Sequence, residues 1–308
     1  MHLAVYLPVL FSGLFGVTAP SMARRLPPAP ATWLLSAGGV IAAAGSAASL
    51  ALLAFTLVGL NPRLAARGHW SDEALRDIDP VWTPVAVGAL VALAVLTVRA
   101  AFAALRRLTA LHDAYRLAAS LPPYGGELAV LDLRELHACA VPGHPGRIVV
   151  STGLLCRLDA AHRRAVLAHE RAHLEHRHHL HQSVVQLAAA ANPLLQRLPD
   201  AVDLACERWA DEDAAAICGR RETVADALAH TATGVGNLPI PAVRLAAAVT
   251  DVASRVSALR APAPRLIMWR VGLLVGILTA TALTLAEATH DTNRIFELAE
   301  SAYRHGSR

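Results

Sequence analysis

The sequence predicts a mainly α membrane protein, with four transmembrane helices and an α+β domain placed between the third and fourth. Three observations carry that prediction. The 308-residue chain is 55 % hydrophobic and has a positive mean hydropathy, enough for one soluble domain plus several membrane crossings. Residues 32–60 contain no charged side chain and are rich in Ala, Leu and Gly. Such a run crosses about 30 Å of hydrocarbon with some tilt. Residues 105–262, by contrast, mix charges, Gly/Pro turn signals and short apolar stretches, as an aqueous domain does.

In chain order, residues 1–104 hold the first three spans. Nothing from Met1 to Ala23 is formally charged. A signal peptide normally opens with a basic region, so residues 3–19 read as an uncleaved first span, with Pro8 as a candidate kink. The loop 20–31 carries Arg24, Arg25 and several prolines, and the second span is 32–60. Residues 61–80 form a polar loop in which Arg63, Arg67 and Arg76 face Asp72, Glu73, Asp77 and Asp79. The third span is 81–98, with Trp82 at one boundary and Arg99, Arg106 and Arg107 beyond the other.

The net charge of +4 rests wholly on arginine, since the chain has no Lys. These arginines are scattered rather than clustered, which fits membrane orientation and gives no expectation of direct nucleic-acid binding. All-Arg usage points to a high-GC bacterial genome. Arg255, Arg260 and Arg265 precede the fourth span, so the bias puts the N-terminus outside and residues 100–265 in the cytosol.

The domain 105–262 opens with an amphipathic helix, 105–119, ended by Pro122, Pro123, Gly125 and Gly126. Short apolar stretches in 128–141 and 148–151 suggest a small sheet, joined through the turn 142–146. The chemistry centres on residues 166–181, VLAHERAHLEHRHHLH, which contain His169, Glu170 and His173 as H-E-x-x-H. Four residues apart on a helix, the two imidazoles share a face and can converge on one zinc ion. Glu170 sits beside that face, placed to take a proton from the attacking water and pass it to the leaving amine.

A tetrahedral catalytic zinc needs a third protein ligand, and two candidates compete. His179 lies where H-E-x-x-H-x-x-G-x-x-H would put its last His. That pattern needs a Gly at 176 to turn the chain back, and 176 is His. With no breaker from 173 to 181, a continuous helix would carry His179 away from the metal. The second candidate is Glu207, in ACERWADEDAA, with Asp211 one turn on and on the same face. Asp211 there can accept a hydrogen bond from a ligand imidazole and fix its tautomer. The motif mechanics favour Glu207.

At this point the residues resemble a known family. The order HERAH, then Asn192-Pro193-Leu194, then Ala205-Cys206-Glu207 and Asp211 is similar to the BlaR/MecR-type membrane zinc metallopeptidases, relatives of the HtpX-type peptidases within the gluzincins. Residues 146–155 resemble the strand and turn those enzymes place before their zinc helix. The resemblance implies a zincin-like (gluzincin) metallopeptidase domain with one Zn2+ on His169, His173 and Glu207, and Glu170 as acid/base. It also implies a strand, for which 148–151 is the candidate, that binds extended substrate by edge addition. Arg171 stands where an apolar residue is commoner, and the chain lacks the large penicillin-binding domain of beta-lactam receptors. The implied function is a regulatory metalloendopeptidase of the bacterial inner membrane, cutting a protein or peptide substrate such as a transcriptional repressor or itself. The HtpX-type relatives point instead to membrane quality control, and the histidine-rich helix to a metal sensor without hydrolysis.

The remaining elements follow from composition. His176, His178, His179 and His181 read as a solvated helix end or a membrane-surface contact. Residues 184–195 are apolar but too short to span, and pack on the domain or lie at the membrane face. Cys139, Cys156, Cys206 and Cys218 lack C-x-x-C spacing and read as reduced, buried thiols. Residues 219–260 read as Ala-rich helices broken at 234–241, with His230 a weak candidate for a transition-state hydrogen bond. After the stiff connector 261–264, residues 263–308 supply the fourth span, about 266–286, and a polar tail.

Overall fold

A computed structural model describes residues 3–78, 81–122, 124, 126–232 and 252–306. Among the described residues, three helices are long and apolar enough to cross a membrane: α2 (Pro28–Gly59), α5 (Thr83–Ser120) and α12 (Met268–Gly306). The expected first span is the helix α1 (Leu7–Ala23), apolar but only 17 residues long. Pro8 sits in its first turn, where a missing N–H costs nothing, so the kink expected there does not arise; Pro20 is the proline inside the helix.

Two other expectations change. The loop expected at 61–80 contains two short helices, α3 (Pro62–Gly68) and α4 (Asp72–Ile78). Asn61 caps α3 through its side chain, accepting from the backbone N–H groups of Arg63 and Leu64 at 3.0 and 3.4 Å. The expected third span and the amphipathic helix 105–119 form one helix, α5, because no Gly or Pro interrupts 89–119. The expected tail likewise continues α12 to Gly306.

The sheet has three strands, β1 (Leu128–Leu131), β2 (Ala138–Val141) and β3 (Arg147–Ser151), in the order β1-β3-β2. β3 runs parallel to β1 and antiparallel to β2. The strand expected at an edge, 148–151, is therefore the centre of the sheet, and its backbone is occupied on both sides. β1 and β2 are the edges. After the sheet come α6 (Thr152–Arg157), α7 (Ala160–Glu175) and α8 (His178–Ala191). A 3-10 turn, Pro193–Leu195, leads to α9 (Leu198–Cys218), then α10 (Arg221–Ala232) and α11 (Val252–Arg260). The break expected at 234–241 lies outside the described residues.

Residues 184–195 pack into the membrane helices. Val185, Ala188, Leu195, Leu198, Ala201, Val202 and Cys206 share one core with Phe15 and Ala19 of α1, Leu35 and Ala42 of α2, and Leu274 and Ile277 of α12. A second core, from α7, α9, α10 and α11, joins Ala165 and Ala168 to Ala214, Ala225 and Leu259. Both cores press on α9. That helix thus has one face against the membrane bundle and another toward α7, across which it presents its carboxylates.

Candidate metal centre

α7 starts at Asp159, whose side chain accepts from the His162 N–H at 2.8 Å. Its turns carry Ala165, Ala168 and Ala172 into the core, which aims His169 and His173 at α9. The two Nε2 atoms lie 3.1 Å apart. Glu207 brings Oε2 to 3.5 Å from His169 Nε2 and Oε1 to 3.5 Å from His173 Nε2. A tetrahedral zinc with bonds of about 2.0–2.1 Å spaces its donors about 3.3–3.4 Å apart, and these separations match that. Among the described residues, His169, His173 and Glu207 are the group whose donor atoms converge in this way, all within 4.8 Å. His179 is not part of it.

The reason differs from the one the sequence suggested. α7 ends at Glu175, Arg177 adopts a left-handed conformation at φ 49°, and a new helix begins at His178. The chain does turn between 173 and 181, without a glycine, and the turn delivers His178 rather than His179 to the centre. His178 Nδ1 lies 2.9 Å from His173 Nδ1. If His173 keeps its Nε2 lone pair for a metal, it donates from Nδ1 and His178 accepts. On the other arm, His169 Nδ1 lies 3.0 Å from Asp211 Oδ1. Each candidate imidazole ligand is thus oriented by a different partner.

The histidine run expected to be solvated is largely internal. His178 and His181 are buried. His181 Nδ1 meets Ser36 Oγ of α2 at 3.1 Å, and its ring stands edge-on to Trp33. His176 pairs with Asp213 and stacks on Trp209, centroids 4.2 Å apart. Burial pushes His178 down to about 2, so it is a neutral hydrogen-bonding group at ordinary pH. The reason for the mismatch is that Trp209 and α2 supply a tertiary cover that local composition does not show.

Arg255 on α11 was not foreseen. Its Nε and Nη2 bind Asp211 Oδ2 and Oδ1 at 2.8 and 2.7 Å, and its Nη1 reaches Glu207 Oε2 at 2.8 Å. Burial would raise the Glu207 carboxyl, but Arg255 and the two histidines outweigh it and hold it well below the usual range. Glu170 goes the other way. Burial lifts its carboxyl above the ordinary value and the Glu207 charge adds to this, while His169 and the Ala140 N–H pull against it.

The Ala140 contact also places the sheet. Ser151 N–H donates to His137 O at 2.9 Å and Cys139 is paired with Val149, so odd-numbered residues of β2 face β3. Ala138 and Ala140 then turn their backbone outward, toward α7. The free edge beside Glu170 is β2. Arg171, unusual inside the motif, pairs with Glu127 just before β1. His230 contacts the Asp226 carbonyl and the His162 ring. All four cysteines are free; Cys139 and Cys206 are buried as expected, whereas Cys156 is exposed and Cys218 only partly covered.

Residues 107–198 match the family model described as Peptidase family M48. The match spans the end of α5, the sheet and α6 to α8; it includes His169, Glu170 and His173 and stops before Glu207 and Asp211. Over that part, less than a third of the chain, the match supports a peptidase. No curated protein and no solved structure matches the chain.

Proposed function

We propose that this chain is an integral-membrane zinc metalloendopeptidase of the BlaR/MecR type, holding one Zn2+ on His169, His173 and Glu207. The observation that carries the reading is the convergence of those three side chains at donor separations suited to zinc, with Glu170 on the same helix. Bound there, zinc would polarise the scissile carbonyl and acidify the attacking water. Glu170 takes the proton from that water and delivers it to the leaving nitrogen. Its raised proton affinity suits the second half of this task. Asp211 and His178 hold the imidazoles in the tautomer that presents Nε2.

Substrate enters as an extended chain along β2, pairing with the outward Ala138 backbone and the Ala140 carbonyl while the Ala140 N–H is held by Glu170. Its class is protein or peptide, in a regulatory setting, with a cytosolic repressor or the chain itself as the target. The protein sits in the bacterial inner membrane, with 105–262 on the cytosolic side; the three long apolar helices support the membrane part of that reading.

The deciding measurement is zinc content of purified protein together with hydrolysis of an unstructured protein such as casein. Wild type and His179→Ala should hold one zinc, and Glu207→Ala should lose it. Glu170→Gln should keep zinc and lose hydrolysis. Zinc retained in Glu207→Ala and lost in His179→Ala would defeat the ligand assignment. Full biological activity in Glu170→Gln would favour a metal sensor, and many cleavage sites instead of one would favour quality control.

A further inference from the structure

Four arginines converge at one end of the membrane bundle, and no carboxylate answers them. α1 ends at Ala23 and α2 starts at Pro28, so Arg24 and Arg25 occupy the link between them. Arg208 Nη1 donates to the Arg24 carbonyl at 2.8 Å, and Arg270 Nη1, from the first turn of α12, donates to the Arg25 carbonyl at 3.4 Å. Consecutive carbonyls belong to residues whose Cα atoms are about 3.8 Å apart. Two guanidinium groups, one from α9 and one from α12, are thus drawn to a short piece of backbone whose own side chains are guanidinium groups. Arg265, exposed and three residues before α12, adds a fifth charge at the start of that helix.

The chain supplies no counter-charge here. Its first acidic residue is Asp72, and no Asp or Glu occurs from Val252 to Ala286. The carboxylates that act on Arg208 are Glu212 and Asp211, and both are engaged elsewhere, Glu212 by Arg221 at 2.5 Å and Asp211 by Arg255 at 2.7 Å. Among the described residues, none of the five arginines forms an ion pair with a carboxylate. The two carbonyl bonds by themselves are ordinary capping of the α1 C-terminus. A helix C-terminus carries about half a negative charge, against four full positive ones. The exposed guanidinium groups of Arg24 and Arg25 are left over, and they favour an anion from outside the chain.

The surroundings select which anion. Trp33, in the second turn of α2, is 60 % exposed, and Trp269, in the first turn of α12, is 63 % exposed, with the Arg270 guanidinium 5.3 Å from its ring centre. Exposed indoles at the ends of apolar helices mark the boundary between headgroups and hydrocarbon. Arg24 and Arg25 lie just outside that boundary, and the exposed apolar side chains of Val17 and Leu273 lie just inside it. A phosphodiester seated on the arginines lays its acyl chains along those side chains, which a free phosphate has no means to use. Guanidinium groups suit the phosphate oxygens because they form paired, charge-assisted hydrogen bonds with them.

We propose that the Arg24–Arg25 link, Arg208 and Arg270 form a site for the headgroup of an anionic phospholipid, with Trp269 beside its glycerol region. The bound lipid ties α1, α9 and α12 together one residue away from Glu207. The site rests on the membrane reading of α2 and α12 and not on peptidase activity.

The test uses the full chain in micelles of an uncharged detergent, titrated with phosphatidylglycerol or phosphatidylcholine, and native mass spectrometry counts the lipid bound per chain. The expected result is one phosphatidylglycerol retained where phosphatidylcholine is not. Arg24→Gln with Arg25→Gln should lower phosphatidylglycerol affinity about 25-fold, about fivefold per arginine. Both side chains are exposed and the link is held by its carbonyls, so the substitutions leave the fold in place. Arg24→Gln alone, with a loss of about fivefold, serves if the pair does not assemble. Arg63→Gln with Arg67→Gln, on α3 beyond the other end of α2, should change nothing. Equal retention of the two lipids would overturn the proposal, as would undiminished affinity in the Arg24 and Arg25 variants. An equal loss in the α3 control means general charge attraction, and displacement of the lipid by inorganic phosphate means a site for a soluble anion; either result also overturns it.

Discussion

Replacing Arg255 by Met should destabilise the metal-free protein by about 3–5 kcal/mol. Glu207 and Asp211 are 7 % and 2 % exposed, and Arg255, itself 6 % exposed, bridges them with three contacts of 2.7–2.8 Å. Met replaces most of the apolar stem, so the loss is that of the guanidinium rather than of a cavity. What remains is a pair of buried carboxylates whose charge His169 and His173 offset only in part. Proton uptake limits the penalty, which is why it stays far below the full cost of burying an ion. Arg255→Lys should recover part of the loss, since one ammonium cannot span both carboxylates in the same geometry. The assay is denaturant unfolding in detergent with a chelator present, because bound zinc would add its own stabilisation. A loss below about 1 kcal/mol, the level of a solvated ion pair, would refute the argument that Arg255 is the internal counter-ion of this site.

Three further expectations follow from separate contacts. His178→Ala should weaken zinc binding by about 10–100-fold in competition with a chelator, through a misoriented His173, and His178→Asn should restore part of it; unchanged affinity in both would remove the positioning role. Burial raises the Asp203 carboxyl to about 6 despite its hydrogen bond from Gln182, and its Oδ1 has no partner. Its folded-state value lies above the unfolded 3.8, so the stability tied to its protonated form is complete below 3.8 and lost as pH rises through about 6. Asp203→Asn should flatten that dependence and be more stable above it, by up to roughly 3 kcal/mol; melting curves of the two proteins that stay parallel across this range would contradict it. Gly16→Ala should destabilise by about 1–3 kcal/mol, because its methyl would strike the Leu194 carbonyl and force α1 away from the turn. An unchanged melting temperature would mean that α1 and that turn are not in close contact.

The sequence by itself determined what depends on composition and short spacing. An uncharged run such as 28–59 has few fates other than a membrane helix, and a four-residue spacing puts His169 and His173 on one face because helical geometry is local. The i,i+4 pairing of Glu207 with Asp211 was legible for the same reason. Boundaries were less so: α5 and α12 run on beyond their apolar parts, since nothing in them stops a helix once it leaves lipid. Only the tertiary structure decided which strand is the edge, because pairing order is a long-range choice that strand composition does not encode. It also decided that the chain breaks at Arg177, a residue with no turn signature, and so gave His173 the partner His178. The largest gap was Arg255. It lies 44 residues from Asp211, and the need it meets, a counter-charge for two carboxylates buried together, comes into being only when α7, α9 and α11 have packed.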